Sequence, residues 1–380
     1  MQELHDADAL AALLTAGALE NVAVQSLDLA PFADRLRDVS VRGTIFMGCE
    51  IAPELASGLM ARGALVFPTL PDVPYSTYPA SLYSVGALFA GFDPADPCTY
   101  CRTPDATIYA HWKKTGGAAA STIHETLARR LHDHAITDAL DELVHGRKVV
   151  AIMGGHSMSR ASAAYRAVAT MSAELARRGY LMASGGGPGA MEATHLGVWF
   201  ADRDGLDEAI AMLAEAPKYD HRDWLAAAMR VRAHFPNDHL RTSVGVPTWF
   251  YGHEPPNAFA SHVAKYFANS VREEGLVTIA THGILFAPGK AGTVQEIFQD
   301  AAQNHYGTVE GVISPMALFG VKYWTETYPV KPLLDRLSSG RPYADMLTID
   351  DDPERLVRFI VENPPRKVKT GWSFCEAYCS

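Results

Sequence analysis

The sequence predicts an α/β protein whose main part is a doubly wound, mostly parallel sheet, preceded by an N-terminal α/β extension. Three observations point there. Short β-branched or apolar runs alternate with helical stretches along most of the 380 residues, the pattern of βαβ units rather than of hairpins. The runs "VVAIMGG", "YLMASGGGPG" and "GILFAPG" end on glycine- or proline-rich turns, as buried parallel strands do where they hand over to helices. The length also exceeds the roughly 100–200 residues of one domain, so a second domain or a large extension is expected.

In chain order, "GTIFMG" (43–48), "PELASGLMARG" (53–63) and "ALVFP" (64–68) read as strand, helix and strand. The Gly-Cys segment in "FMGCEIAP" (46–53), at the end of a predicted strand, is a ligand site or a plain turn, and is read as the turn. Residues 69–120 are rich in Pro, Tyr, Asp and Gly, the text of loops and short elements, with "HWKK" (111–114) as an exposed basic patch. A long amphipathic helix follows over 121–146, opened by a Ser/Thr cap with a glutamate near its third position. Next come a strand within "RKVVAIMGGHS", a helix over 159–178, and a strand, glycine loop and helix start over 180–197. Further strands are expected within 242–250, 283–289, 311–320 and 346–351. The organisation predicted is an accessory α/β domain over 1–120, a connector helix over 121–146, the main domain over 147–365 and a tail over 366–380.

Composition narrows the function. A net charge of −10 argues against nucleic acid as a partner, while a small phosphorylated ligand needs only a local positive site. No apolar run approaches the ~20 residues of a membrane helix, and the N-terminus lacks a basic stretch ahead of its apolar residues, so a cytoplasmic protein without a membrane partner is expected. Five cysteines make no disulfide framework. Cys98 and Cys101 form a CxxC that could be half of a zinc site, but a second pair at ligand spacing is missing, since Cys375 and Cys379 are spaced x3 at the far end. Packed thiols and no metal are expected.

Three strand ends carry the candidate site. The first holds Gly154, Gly155, His156 and Ser157 ahead of Arg160. The second holds Gly185, Gly186, Gly187, Pro188 and Gly189, followed by Ala190 and Glu192. The third is "PGKAGTVQE", with Gly289, Lys290, Gly292, Thr293 and, in what reads as the first helical turn, Glu296. None matches GxGxxG or GxxxxGK[ST], so neither a nicotinamide cofactor nor a P-loop is indicated, and no cofactor is expected. One glycine loop alone is more often a turn that needs positive φ. Three at the carboxyl ends of strands in one sheet would converge on a single crevice and offer main-chain amides to an anion. His156 and Arg160 would bind phosphate or ribose, or the histidine merely caps its helix. Glu192 would accept from the base or ribose, or merely complement a helix N-terminus; Asn257 in "EPPN" is a lid or sugar contact, while the Pro-Pro ends an element; and His282 is structural.

At these residues the chain resembles the LOG (lonely guy) family of nucleotide phosphoribohydrolases, whose signature is PGGxGTxxE. "GGHSMSR", "GPGAMEA" and "HEPPN" are similar, in the same order, to stretches of the bacterial pyrimidine/purine nucleotide 5′-monophosphate nucleosidases. The resemblance covers roughly 147–350. It implies a Rossmann-like fold and hydrolysis of the N-glycosidic bond of a nucleoside 5′-monophosphate such as AMP, giving free base and ribose 5-phosphate. It also implies a homo-oligomer, a dimer or tetramer, and a regulatory or oligomerisation role for the N-terminal region. By the same resemblance Glu296 is the catalytic glutamate, Gly289, Gly292 and Thr293 lie in the phosphate-binding turn, and Arg272 in "ANSVREEG" is the catalytic arginine. The chain departs from the family in a spacing one residue longer between Arg272 and that turn, and in Lys290, where the family has its second glycine.

The chemistry is consistent with these residues. Breaking a ribosyl C–N bond passes through an oxocarbenium-like state that a carboxylate near C1′ stabilises. Phosphate held at 186–190 and 289–293 would position the sugar, and the planar fork of an arginine suits a phosphate or a carboxylate. The bland reading of Glu296 is a helix-dipole residue. A lysine decarboxylase would need a Schiff-base lysine, commonly in Ser-x-His-Lys, and that string is absent. The alternatives are a non-catalytic nucleotide or cofactor carrier or sensor on the same fold, which the lysine at 290 keeps open, and a cytokinin riboside 5′-monophosphate phosphoribohydrolase.

Overall fold

A computed structural model describes residues 1–17, 19–237, 241–252, 255–309 and 311–368. The chain forms two compact units, Met1–Leu82 with Thr107–Leu143, and Tyr83–Ala106 with Val144–Ser380. The tail expected over 366–380, with Cys375 and Cys379, falls outside the described residues from 369 on, as do His253 and Glu254 of "HEPPN". Among the described residues no helix is long and apolar enough to cross a membrane.

In the first unit four short strands, β1 (Gln2–Leu4), β2 (Val22–Gln25), β3 (Ile45–Met47) and β4 (Leu65–Phe67), pair in parallel in the order of the chain. Helices α1 (Ala7–Thr15), α2 (Ala33–Asp38) and α3 (Pro53–Ala61) make the crossovers. Asp6 caps α1 by accepting the Asp8 N–H, and a proline in the first turn opens α3. Leu4, Leu10, Val24, Leu36, Phe46, Leu55 and Leu59 bury the apolar stripes of both element types in one cluster.

Tyr83–Ala106 belongs to the second unit and includes α4 (Val85–Leu88). A buried carboxylate explains its allegiance. Asp105 receives Lys265 Nζ at 2.5 Å, Trp249 Nε1 at 3.2 Å and Tyr100 Oη at 2.9 Å, and removing one partner would leave an uncompensated charge in the core. Helix α5 (Pro104–Lys114) runs through the stretch expected to be loops, with a proline at its start and lysines in its last turn. "HWKK" is accordingly only half a surface patch. Lys113 and Lys114 are exposed, whereas Trp112 is buried and His111 pairs with Glu125 at 2.5 Å. The expected long helix is α6 (Ile123–Val144), which belongs to the first unit up to Leu143.

The second unit holds a seven-stranded sheet. Its strands are β5 (Val149–Met153), β6 (Leu181–Ser184), β7 (Ser243–Gly245), β8 (His262–Val263), β9 (Ile284–Phe286), β11 (Met316–Phe319) and β12 (Leu347–Asp350). The order is β12-β11-β9-β5-β6-β7-β8 and every pairing is parallel. Strands β10 (Val312–Ile313) and β13 (Arg366–Lys367) form a separate antiparallel pair. From β5 the chain builds outward through β6, β7 and β8, then returns to the other side of β5 and builds through β9, β11 and β12. With right-handed crossovers this places the helices of the two halves on opposite faces, the Rossmann-like doubly wound arrangement, and leaves a switch point between β5 and β9.

The crossover helices are α7 (Ala163–Arg177), α8 (Ala190–Trp199), α9 (Leu206–Leu213), α10 (Trp224–His234), α11 (Asn269–Ile279), α12 (Ala291–Tyr306) and α13 (Lys331–Ser338), and α14 (Pro353–Glu362) follows the last strand. The helix expected from 159 starts only at Ala163, because Ser162 caps it by accepting the Tyr165 N–H. Helices α7 and α8 touch at Gly197, where a Cβ would lie 2.2 Å from the Ala169 carbonyl.

Candidate functional site

Strands β9, β5 and β6 are neighbours, so their carboxyl ends lie side by side at the switch point. The turns that follow them interlock. Gly155 N–H donates to the Pro288 carbonyl at 3.1 Å, and Ala190 N–H donates to the Gly155 carbonyl at 3.2 Å. A Cβ on Gly154 would stand 2.7 Å from Ala190 Cβ and 3.0 Å from Ala287 Cβ, so the glycine lets the three turns meet. At Gly189, φ is +68° and a Cβ would fall 2.4 Å from the Gly155 carbonyl oxygen, which excludes a side chain twice over.

Two helices begin in this cluster. Gly189 is the N-cap of α8 and Lys290 that of α12, and neither cap supplies a side-chain acceptor. The first amides of a helix have no partner within it, and together with the helix dipole they form an anion site. Gly292 lies in the first turn of α12 with open space where a Cβ would project. Lys290 is exposed, and its φ of −108° lies outside the left-handed region that favours glycine. Thr293 is buried beneath the turn, and Tyr323 Oη donates to the Gly289 carbonyl at 2.7 Å.

Main-chain and buried side-chain partners fix the middle loop. Gly186 (φ +74°) donates its N–H to Ser184 Oγ at 3.1 Å, and its carbonyl accepts from Asn257 N (2.8 Å) and Nδ2 (2.9 Å). Ser184 Oγ also reaches the Met191 carbonyl at 3.3 Å and His195 Nε2 at 2.8 Å. These bonds are all satisfied when Nε2–H donates to Oγ and the hydroxyl donates to Met191. Burial holds the His195 pKa down to about 3, so the ring is neutral. Its Nδ1 is buried with no protein partner.

Several residues expected to meet a ligand are committed elsewhere. Arg160 and Glu192, 1% and 0% exposed, form a bidentate pair with bonds of 2.7 and 2.5 Å. Tyr165 Oη adds a bond to Glu192 at 2.9 Å, while Arg160 Nη1 serves the carbonyls of Ala216 and Trp224. Asn257 Oδ1 accepts from the Phe259 and Ala260 amides, so both ends of its amide hold main chain. These three residues shape the loops around the site. His156 is half-buried in edge contact with Tyr219, Ser157 is exposed, and Gly187 is buried within the loop. His282 lies just before β9, at the end of the strand away from the crevice, as a structural residue would.

Arg272, 6% exposed in the first turns of α11, crosses the ends of β6 and β7, donating Nε to the Val246 carbonyl at 2.8 Å and Nη2 to the Gly185 carbonyl at 3.5 Å. A Cβ on Gly185 would stand 2.6 Å from Nη2. Helices α11 and α12 are bridged by Gln295 Nε2 donating to Glu273 Oε2 at 2.9 Å, so Arg272 and Glu296 adjoin the two residues of that bridge. Because α12 starts at Ala291, Glu296 is its sixth residue and not part of the first turn. It is half-buried. The helix-dipole account of Glu296 weakens with this placement, since the dipole acts within the first turn.

Ser184, His195 and Tyr323 were not anticipated. Ser184 had a signal, a hydroxyl directly before a glycine run, while Tyr323 reaches Gly289 across 34 residues and had none. Among the described residues one group could hold a metal, Glu3, His5 and Glu142 of the first unit, and Cys98 and Cys101 are not in it.

No protein-family model and no curated protein matches the chain. Solved structures similar to it include the molybdenum cofactor binding protein from the phototrophic bacterium Rippkaea orientalis, at 12% identity and a TM-score of 0.38, covering 57% of this chain and 98% of that one. Another is the molybdenum cofactor carrier protein MCP from Chlamydomonas reinhardtii, at 11% identity and a TM-score of 0.37, covering 57% and 97%.

Proposed function

We propose that the crevice between β5 and β9 holds the phosphate of a nucleoside 5′-monophosphate, and that Glu296 and Arg272 serve hydrolysis of its N-glycosidic bond, as the resemblance to the LOG family implies. The observation that carries the reading is the meeting of two helix N-termini without side-chain caps at the switch point of a doubly wound sheet. A phosphate there would accept the amides of the 289–293 turn and those of α8 beyond Ala190, whose own N–H is held by the Gly155 carbonyl. Binding at this remote group would fix the sugar, so that C1′ meets a carboxylate as positive charge develops. Lys290, exposed at the N-cap of α12, would add a positive charge near the turn.

Carriage without chemistry is the second reading. The exposed lysine at the N-cap favours it, and the proteins of known structure named above are described as binding or carrying molybdenum cofactor. The full-length protein is to be titrated with AMP, GMP, CMP and UMP by calorimetry, and each mixture assayed for free base and ribose 5-phosphate. Binding with release supports the hydrolase. Saturable binding without release supports a carrier, and no binding of any of the four overturns the phosphate assignment. The same reading includes a homo-oligomer in solution, to be checked by light scattering.

A further inference from the structure

We propose that Cys98 and Cys101 form a redox-active dithiol that exchanges two electrons with small aliphatic disulfides, a site independent of the crevice reading. Both lie in the 3₁₀ turn Pro97–Arg102 and both are exposed free thiols, in contrast to the packed thiols expected from the sequence. Side chains three apart in a 3₁₀ turn eclipse one another, and three rises of about 2.0 Å set their Cα atoms about 6 Å apart. That lies within the ~4.4–6.8 Å a disulfide spans. The bond can therefore close on the turn as it stands.

The turn is also held. Asp96 Oδ1 accepts the Cys98 N–H at 3.2 Å, and Thr99 Oγ1 donates to the Asp96 carbonyl at 2.7 Å. Tyr100, between the sulfurs, bonds Asp105, whose other oxygen carries Lys265. No third metal-ligating side chain joins the pair among the described residues. Arg222 Nη2 stands 4.0 Å from Cys98 Sγ. The thiolate is the reacting form, and Arg222 is the cation placed to meet it, which makes Cys98 the attacking sulfur and Cys101 the resolving one.

In the step, Cys98 gives its proton to solvent and its thiolate attacks one sulfur of the small disulfide, forming a mixed disulfide and releasing one small thiolate. Cys101 then gives up its proton and attacks Cys98 Sγ, closing Cys98–Cys101 and releasing the second small thiolate. The two released thiolates take up two protons, so the protein is oxidised by two electrons and the reagent is reduced to two thiols.

The test treats the native full-length protein with oxidised glutathione, quenches with iodoacetamide and maps peptides by mass. The expected product is an intramolecular Cys98–Cys101 bond, 2 Da lighter than the dithiol and reversed by dithiothreitol. Cys101→Ser should stop at a glutathione adduct on Cys98, and Cys98→Ser should slow adduct formation at 101 by on the order of tenfold. Both positions are exposed, and circular dichroism checks that the variants fold. Separate adducts on both cysteines of the wild type, or unmodified thiols that react only after denaturation, would overturn the proposal.

Discussion

The two sheets are built from the same unit, a short parallel strand and a crossover helix, yet they treat their strand ends in opposite ways. In the first unit the strands run β1-β2-β3-β4, every step in one direction, so the sheet has no switch point. Its carboxyl ends are closed by its own chain. Gln25 Nε2 donates to the carbonyls of Tyr78 and Pro79, Ser26 Oγ donates to Tyr78, and a Cβ on Gly48 would lie 2.8 Å from the Tyr78 ring. In the second unit the order reverses at β5, and the turns there end in helices whose cap residues offer no side-chain acceptor. The strand order decides which ends become a site, and glycines occur at both. The turn at 46–53 is thus a turn, as the sequence suggested.

The largest effect expected of a single change is structural and falls beside the crevice. Arg160→Met leaves Glu192 buried without its cation and should cost about 3–5 kcal/mol in denaturant unfolding. A loss below about 1 kcal/mol would mean that the pair faces solvent or a ligand after all, and would return Arg160 and Glu192 to the binding set.

Glycine-to-valine changes compare the two sheets directly. Gly48→Val meets both a positive φ (+61°) and the Tyr78 ring, so it should lower the melting temperature and leave nucleotide affinity per folded molecule unchanged. Gly292→Val projects into open space from a helical position, where valine is no worse than glycine, so stability should hold. Affinity should drop at least tenfold, because the side chain occupies the approach to the amides. Unchanged affinity would place the anion elsewhere. Gly292 is helical, so its place in the turn does not depend on a positive φ.

A further effect appears only in acid. With His195 at about 3 in the fold, against 6.5 for an exposed imidazole, the neutral ring's contribution is complete above pH 6.5. It is lost as pH falls from 6.5 toward 3, with a slope of about 1.4 kcal/mol per pH unit. Asp300 has the opposite sign. Burial raises its carboxyl well above 3.8, with Oδ2 unpartnered, so its stability is present in acid and lost as pH rises. His195→Gln should flatten the acid limb, and Asp300→Asn should raise stability near pH 7. Equal slopes in wild type and variants would contradict the assignments.

What the sequence made legible was the crevice side of the second unit. The strands and glycine turns at 149–157, 181–190 and 284–293 stood out because a buried parallel strand is apolar throughout and a helix entry at an anion site needs glycine. Less visible were β1, β2 and β8, as short as several strands that were read but with no adjoining glycine or proline to mark a strand end. Helix α5 hid in a stretch rich in Pro, Tyr and Asp. Within the site, the residue types of Arg160, Glu192 and Asn257 suggested ligand contacts. What claims them is partners 32 and 71 residues away, and such pairings cannot be read from local spacing.

The most direct test of the account is base release from nucleoside monophosphates by wild type and Glu296→Gln, measured with nucleotide binding to both. The amide keeps the shape of the side chain and loses the charge that meets the oxocarbenium. The account predicts that Glu296→Gln binds with nearly unchanged affinity while base release falls about 10²–10³-fold. Release by the variant at the wild-type rate would contradict it, and so would an absence of release from the wild type with all four nucleotides.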